Sequence, residues 1–438
     1  MSDGFRVPLD RRHLRGLALA VCLLAVASLA ASAVTERDTA RAATAPTDGG
    51  LDRTLVAAVD GTGPGQIVAY RPNGSVAYRN ESLTLYHDVD PSPAGERTVE
   101  FVASDVVDEE TCGGEECLRN VVRRVNLSTG AGDVVHEWSR PRNGSTQIHD
   151  VDRVNESVLL VADINYPDRV YMLDTRTDEV LWEWRVSAAY EPDSGGAYPS
   201  DWTHLNDVEW VEIDGREVVM VSLRNQDQVV FVEPGRGLLE DWTLGEDGDH
   251  DTLYEQHNPD YIPPERGGPA VLVADSENNR VVEYQREGDR WVESWTWTDE
   301  RLQWPRDADR LPNGTTVIVD SHGERVLAVR PNGSVAWSRP VPAGGYDVEV
   351  LGTGEESAGG ASAARLDYES ERASPFDDVD PGHWLVATVP PLLLHGTLFA
   401  LPTWASPLDA ALVLAAATAV AVWLAIESAV AVRHRRRQ

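Results

Sequence analysis

Six residues able to act on an anionic group recur along the middle of the chain: His87, His149, His204, His257, Arg306 and Tyr346. Each opens a short acidic and apolar segment, as in His87-Asp88-Val89-Asp90, His149-Asp150-Val151-Asp152, His204-Leu205-Asn206-Asp207-Val208-Glu209 and His257-Asn258-Pro259-Asp260. Arg306-Asp307-Ala308-Asp309 and Tyr346-Asp347-Val348-Glu349 continue the series at shrinking intervals. A neutral imidazole is a competent nucleophile near neutral pH, and a second one can give or take a proton. Arginine adds a fixed fork of donors for oxyanions. The repeated position is polar rather than apolar, which points to side chains gathered around one axis.

The stretches between these residues must supply that axis. After each comes a set of three strand-like runs separated by turn signals: 158–162, 169–173 and 180–184, then 218–221, 228–232 and 239–244 with Trp242. The runs 270–274, 280–284 and 291–297 follow, and then 316–319, 326–329 and 335–337. Four strands per repeat with an aromatic on the outer strand is the signature of a β-propeller, so the expected fold class is all-β. Thr54–Val59, Gln66–Tyr70 and Ser75–Tyr78 form three strands with no member of the series before them, and Tyr346 opens a strand with no three after it. The two ends therefore complete one blade, closing six blades into a ring and removing two exposed edges. Entries to all six inner strands then converge on one channel mouth.

Composition places this ring outside the cytoplasm. Net charge is −34, and all 38 basic residues are arginine, a balance that excludes nucleic acid as a partner and suits a halophilic surface. Residues 1–35 hold an apolar run after Arg11-Arg12-His13-Leu14-Arg15 and read as a membrane anchor or a signal peptide, with Ala31-Ser32-Ala33 resembling a cleavage site. Residues 36–50 read as a linker, 51–351 as the propeller, and the Gly-, Ala-, Ser- and Glu-rich 352–380 as a second linker. The segment 384–402, broken by Pro390-Pro391, reads as interfacial or re-entrant, with Trp384 and Trp404 suited to the headgroup layer. Residues 408–432 read as a transmembrane helix and 433–438 as a basic cytoplasmic tail, which puts the propeller on the extracellular side of the cell membrane. Sequons at Asn73, Asn80, Asn126, Asn143, Asn155, Asn313 and Asn332 fit a glycoprotein, although the Pro-Asn-Gly examples also make good hairpin turns. Cys112 and Cys117 are placed to close a small disulfide loop in an oxidising exterior, and two cysteines are too few for a zinc site.

Over roughly His87 to Glu349 the chain resembles the arylsulfotransferase family, whose members use no nucleotide donor. The resemblance rests on Asp201-Trp202-Thr203-His204-Leu205-Asn206, Ser222-Leu223-Arg224, Trp242-Thr243-Leu244-Gly245 and Gln256-His257-Asn258. It implies a six-bladed propeller, no cofactor, and transfer of a sulfuryl group from a small aryl sulfate to a phenol through a sulfohistidine. By the same resemblance His257 is the nucleophile, His204 and Arg224 bind sulfuryl oxygens, and His149, by blade order, is a further catalytic histidine. His87, Asn206, Arg306 and Tyr346 are expected to line the substrate. Asn258 follows the expected nucleophile where the family commonly has Asp, which leaves the orientation of the imidazole open.

Plainer readings compete. A histidine before Asp-Val-Asp can stitch adjacent inner strands, and Arg306 can merely pair with Asp307 or Asp309. The tryptophans of the outer strands are packing residues. Glu246-Asp247-Gly248-Asp249-His250-Asp251 has oxygen ligands for calcium without a full loop motif, so no metal site is expected. The rival to the enzyme is a non-catalytic cell-surface propeller that binds a glycan, an anion or a partner protein. Oligomeric state is not encoded in these patterns.

Overall fold

The computed structural model describes residues 11–42, 53–60, 65–92, 97–114, 116–141, 147–299, 302–341, 344–353, 359–372, 384–386, 388–402 and 405–435. They fall into two compact units, 41–374 and the joined termini 1–40 with 375–438. Asn143, Trp404 and the side chains of 433–438, read above as a sequon, a headgroup anchor and a basic tail, lie outside the described residues.

The larger unit is a six-bladed β-propeller of antiparallel sheets. Blade 1 is built from both ends of the unit, with inner strand Gly345–Val350 paired to Leu55–Val59 in the register Val56↔Glu349 and Ala57↔Val348. Blades 2 to 6 start on inner strands Leu85–Pro91, Ile148–Asn155, Leu205–Ile213, His257–Ile262 and Pro305–Arg310. Each sheet is covered on both faces, which explains why its strands are continuous apolar runs rather than alternating ones. Val158, Leu160 and Ala162 face the core shared with blade 4, whereas Leu159 and Val161 face the core shared with blade 2. Six such inter-blade cores make up the ring, including one across the closure where Leu55, Val68 and Val348 meet Val317 and Val319.

A bulge interrupts every inner strand near its entry. The register skips His87 and Asp88, His149, Asn206, Asn258 and Pro259, Arg306, and Tyr346 in turn. An extra residue bends the strand and re-aims its side chain, so the bulges are what turn these residues into the channel. The following carboxylates then clasp the next blade. Asp347 accepts from the Val89 N–H at 2.7 Å, Asp150 from Val208 at 2.5 Å, Asp307 from Val348 at 3.0 Å and Glu209 from Tyr261 at 2.8 Å. These bonds satisfy donors on an inner edge that has no further strand to pair with.

Several expectations are corrected. The run 239–244 is not one strand: short strands Gly237–Leu238 and Leu244–Gly245 flank a 3-10 turn over Glu240–Trp242. Trp242 is drawn instead into an aromatic cluster with Phe231 and Trp291, at ring centroid separations of 5.5 and 5.8 Å. The described part of the second linker is also structured. Glu371–Arg372 pairs parallel to the outer strand of blade 5, and the Ala363 N–H donates to Glu283, which holds Arg310 at 3.0 Å in a fully buried pair. Cys112 and Cys117 form the expected disulfide. In the described sequons, Asn73, Asn80, Asn126, Asn155, Asn313 and Asn332 each accept from the N–H two residues on, the geometry of an Asx turn.

The second unit contains helices Arg11–Ala42, Pro391–Ala400 and Pro407–Arg435. Within the first and last, His13–Ala33 and Pro407–Val432 are long and apolar enough to cross a membrane. These two run antiparallel: Arg15 pairs with Glu427 at 2.7 Å and Ser32 donates to Asp409 at 2.6 Å. Pro391–Ala400 is too short to span and packs Leu394 and Leu398 against Ala410 and Ala411.

Candidate active site

All six members of the recurring series meet at the channel. The rings of His87 and His149 lie 4.6 Å apart and those of His149 and His204 4.8 Å apart, measured between centroids. Tyr346 is the hub, 5.1 Å from His87, 6.0 Å from His149 and 5.9 Å from His257. The Arg306 guanidinium lies over Tyr346 at 4.9 Å and over Trp304 at 4.2 Å. The members are not equivalent. In blade 4 the bulged residue is Asn206, and Asn206-Asp207-Val208-Glu209 is the true counterpart of His87-Asp88-Val89-Asp90. His204 stands two residues upstream, outside the strand, with φ +44°.

His257, His204 and Arg224 are each held by a different device. His257 Nδ1 is 2.8 Å from the Ser276 hydroxyl, and His204 Nδ1 is 2.7 Å from an Asp201 carboxylate oxygen. Arg224, in the turn after strand Arg216–Leu223, pairs with Glu255 and donates to Asn225 at 3.0 Å. Asn206 donates to the Gln256 carbonyl at 2.9 Å, while its own Oδ1 is buried without a partner. His149 Nδ1 is likewise buried and unpartnered. Asp60 reaches into the mouth, 3.5 Å from His87 Nε2 and 3.6 Å from Arg306. Backbone strain concentrates here, since His204, Glu255, Asn258 and Trp304 all adopt positive φ.

Burial and nearby positive charge favour the neutral form of His149 and His257, while His204 is pulled both ways. Burial holds His257 well below the ordinary imidazole value, with Arg224, Arg306 and His204 pushing the same way and a contact to the Glu255 carbonyl opposing them. His149 is lowered well by burial, with His87, His204, His257 and Arg306 acting in the same direction, and His204 is lowered by burial and Arg224 against the pull of Asp201. Burial would raise Asp60, but His87, Arg306 and His204 outweigh it and keep it ionised. Further along the channel the walls turn acidic: Asp88, Asp150, Asp207, Asp260, Asp307 and Asp347 line a pocket together with His149 and Tyr346. Among the described residues no three His, Cys, Asp or Glu side chains are arranged to hold a metal ion. In the acidic loop 246–251, Asp247 accepts from Gly195, Asp249 accepts from Thr252, and His250 lies 3.3 Å from Asp227.

The channel mouth thus brings four histidines together with Arg224 and Arg306. The arylsulfotransferase family model matches residues 74–259, a stretch that contains His87, His149, His204, Arg224 and His257, so the chain is arylsulfotransferase-like there. No curated protein matches the chain. Among solved structures, a protein of unknown function from Bacteroides caccae shares 12% identity over 70% of this chain and 99% of its own, with a TM-score of 0.47. A putative 6-phosphogluconolactonase from Bacteroides fragilis shares 11% identity over 70% and 100% of the two chains, TM-score 0.44. A periplasmic gluconolactonase from Pseudomonas aeruginosa shares 16% over 69% and 99%, TM-score 0.42.

Asp60, Glu255, Ser276 and Trp304 did not emerge from sequence reasoning. Ser276 had a signal available, because Asp275-Ser276 with Arg280 and Asp320-Ser321 with Arg325 repeat one pattern in consecutive blades. In both, the Asp binds the Arg five residues on, Arg280 at 2.6 Å and Arg325 at 2.7 Å. Asp60 had none, since its partners lie in blades 2 and 6.

Proposed function

We propose that the protein transfers a sulfuryl group from an aryl sulfate to a phenol through a sulfohistidine at His257. The observation that carries this reading is a buried, neutral imidazole influenced by both Arg224 and Arg306 at the mouth of a channel. His257 attacks sulfur, the bond from sulfur to the aryl oxygen breaks, and the phenolate leaves with the electron pair. His204 in its protonated form, which Asp201 favours, supplies a proton to that oxygen, and the neutral ring so formed takes one back from the incoming phenol in the second half. The phenol oxygen then attacks sulfur, and the bond to nitrogen breaks to restore His257. Arg224 and Arg306 hold the sulfuryl oxygens by charge-assisted hydrogen bonds. His149, His87, Asn206 and Tyr346 shape the floor on which the group sits.

The setting is an exterior surface. The antiparallel terminal helices put their two arginine-rich ends on one side, which supports a cytoplasmic hairpin base and an extracellular propeller. An acid-rich, lysine-free surface supports a halophilic protein, and at molar salt a screening length of about 3 Å lets an anionic ester approach despite the net charge. The sequon turns are open to glycosylation.

The test uses the full chain in detergent with a chromogenic aryl sulfate and a phenol in molar salt. Wild type should release the chromophore and form the new sulfate ester, and His257→Ala should do neither. If wild type and His257→Ala give the same background release, the enzyme reading fails and a binding propeller takes its place.

A further inference from the structure

Building on the role proposed for His257, we infer that Ser276 is a positioning residue that fixes the tautomer of that imidazole, placing the proton on Nδ1 and leaving Nε2 as the attacking atom. The protons around this serine can be counted. The Ser276 hydroxyl is fully buried and has three neighbours: the Pro305 carbonyl at 2.6 Å, His257 Nδ1 at 2.8 Å and the Ala274 carbonyl at 3.3 Å. It has one proton to give, and a carbonyl can only accept. Two oxygens 2.6 Å apart need a proton between them, so the hydroxyl proton lies toward Pro305. Only a lone pair remains to face His257, and the nitrogen opposite it must therefore donate. Nδ1 carries the proton, and Nε2 keeps its lone pair.

The same count removes a rival reading in which Ser276 is a nucleophile and His257 its base. Such a pair needs the serine proton to point at the imidazole, and here it points away, in a position closed to substrate.

The plain structural reading is that Ser276 clasps two blades, and the molecule contains the control for it. Ser321 occupies the same place one blade later and donates to the Gly345 carbonyl, the residue before Tyr346, just as Ser276 donates to the residue before Arg306. In blade 4, Ser222 accepts from the Gln256 side chain, again the residue before a functional one. Clasping the next inner strand is thus common to these serines. Ser276 alone among the three also meets a histidine ring nitrogen. It also answers the departure at Asn258: a hydroxyl from the neighbouring strand orients the ring where a following carboxylate is missing.

The experiment is 15N NMR of the full chain in detergent, labelled at histidine, with the His257 signals identified by their loss in His257→Gln. Wild type should show the pattern of a neutral ring protonated at Nδ1. Ser321→Ala should keep that pattern, and Ser276→Ala should convert it to the Nε2-protonated form or a mixture. In turnover, Ser276→Ala should lower kcat by about 10- to 100-fold, by analogy with loss of the hydrogen-bond partner that orients a metal-ligating histidine, with KM little changed. Ser321→Ala should leave both constants near wild type. An Nε2-protonated ring in wild type, or an unchanged pattern in Ser276→Ala, overturns the inference even if sulfuryl transfer is active. An Nδ1-protonated ring that responds to Ser276→Ala in a protein with no transfer activity upholds it and overturns the enzyme reading alone.

Discussion

Replacing Asp150 by Asn should make the propeller more stable at pH 8 and flatten its response to pH. Asp150 sits on the inner strand of blade 3, accepts the Val208 N–H, and is pushed up to about 8 from an ordinary value of 3.8. Burial is the main cause, Asp152 and Asp347 act in the same direction, and the Val208 N–H opposes them. Because the folded value lies above the unfolded one, the stabilisation is complete below pH 3.8 and is lost as pH rises toward 8. A rise of about 4 units at 1.36 kcal/mol each amounts to about 6 kcal/mol over that window for this group alone. Asparagine keeps an acceptor for Val208 and offers an amide donor to the carboxylates beside it, with nothing to ionise. Thermal unfolding of the full chain at fixed salt should therefore place the variant within about 1 kcal/mol of wild type at pH 4 and several degrees higher in Tm at pH 8. Equal destabilisation by Asp150→Asn at both pH values would refute the argument, because it would mean that the ionised carboxylate is what the native channel requires.

Two further outcomes follow from other parts of the molecule. Glu283→Ala leaves the Arg310 guanidinium buried without its anion, so it should cost about 3–5 kcal/mol and expose residues 359–372 to limited proteolysis while the rest of the ring stays resistant. Asp201→Asn removes the charge that raises His204 against burial and Arg224, so the protonated fraction falls and the alkaline limb of the pH–rate profile should move to lower pH.

The sequence made the ring legible because closure is written in a simple asymmetry: three strands without an entry residue at Thr54 and an entry residue without three strands at Tyr346. It also showed the convergence of the polar series, since every inner strand enters the channel at the same end. What it hid was register. A bulge consumes one or two residues and moves the blade 4 position from His204 to Asn206, a shift visible only when the Asp-Val-Glu that follows is aligned with its counterparts. The run at Leu239 looked like a strand because its residues suit one, but Phe231 and Trp291 compete for Trp242 and turn the chain. Residues 359–372 have a linker's composition, and what fixes them is long-range: Glu283 on the Ala363 N–H, Arg310 on the Ala361 carbonyl and the pairing of Glu371–Arg372 with blade 5. Asp60 acts across blade boundaries, where local pattern carries no information, whereas Ser276 leaves a trace in the repeated Asp-Ser with Arg that only a blade-by-blade alignment shows.

The central claim is a covalent bond to one histidine. Full-length protein mixed with an aryl sulfate and no acceptor, then digested under alkaline conditions that spare a nitrogen–sulfur bond, should yield a single sulfated peptide containing His257, and the label should vanish when a phenol is added. A sulfated peptide bearing only His149 or His204, or no sulfated peptide while transfer proceeds, would contradict the account.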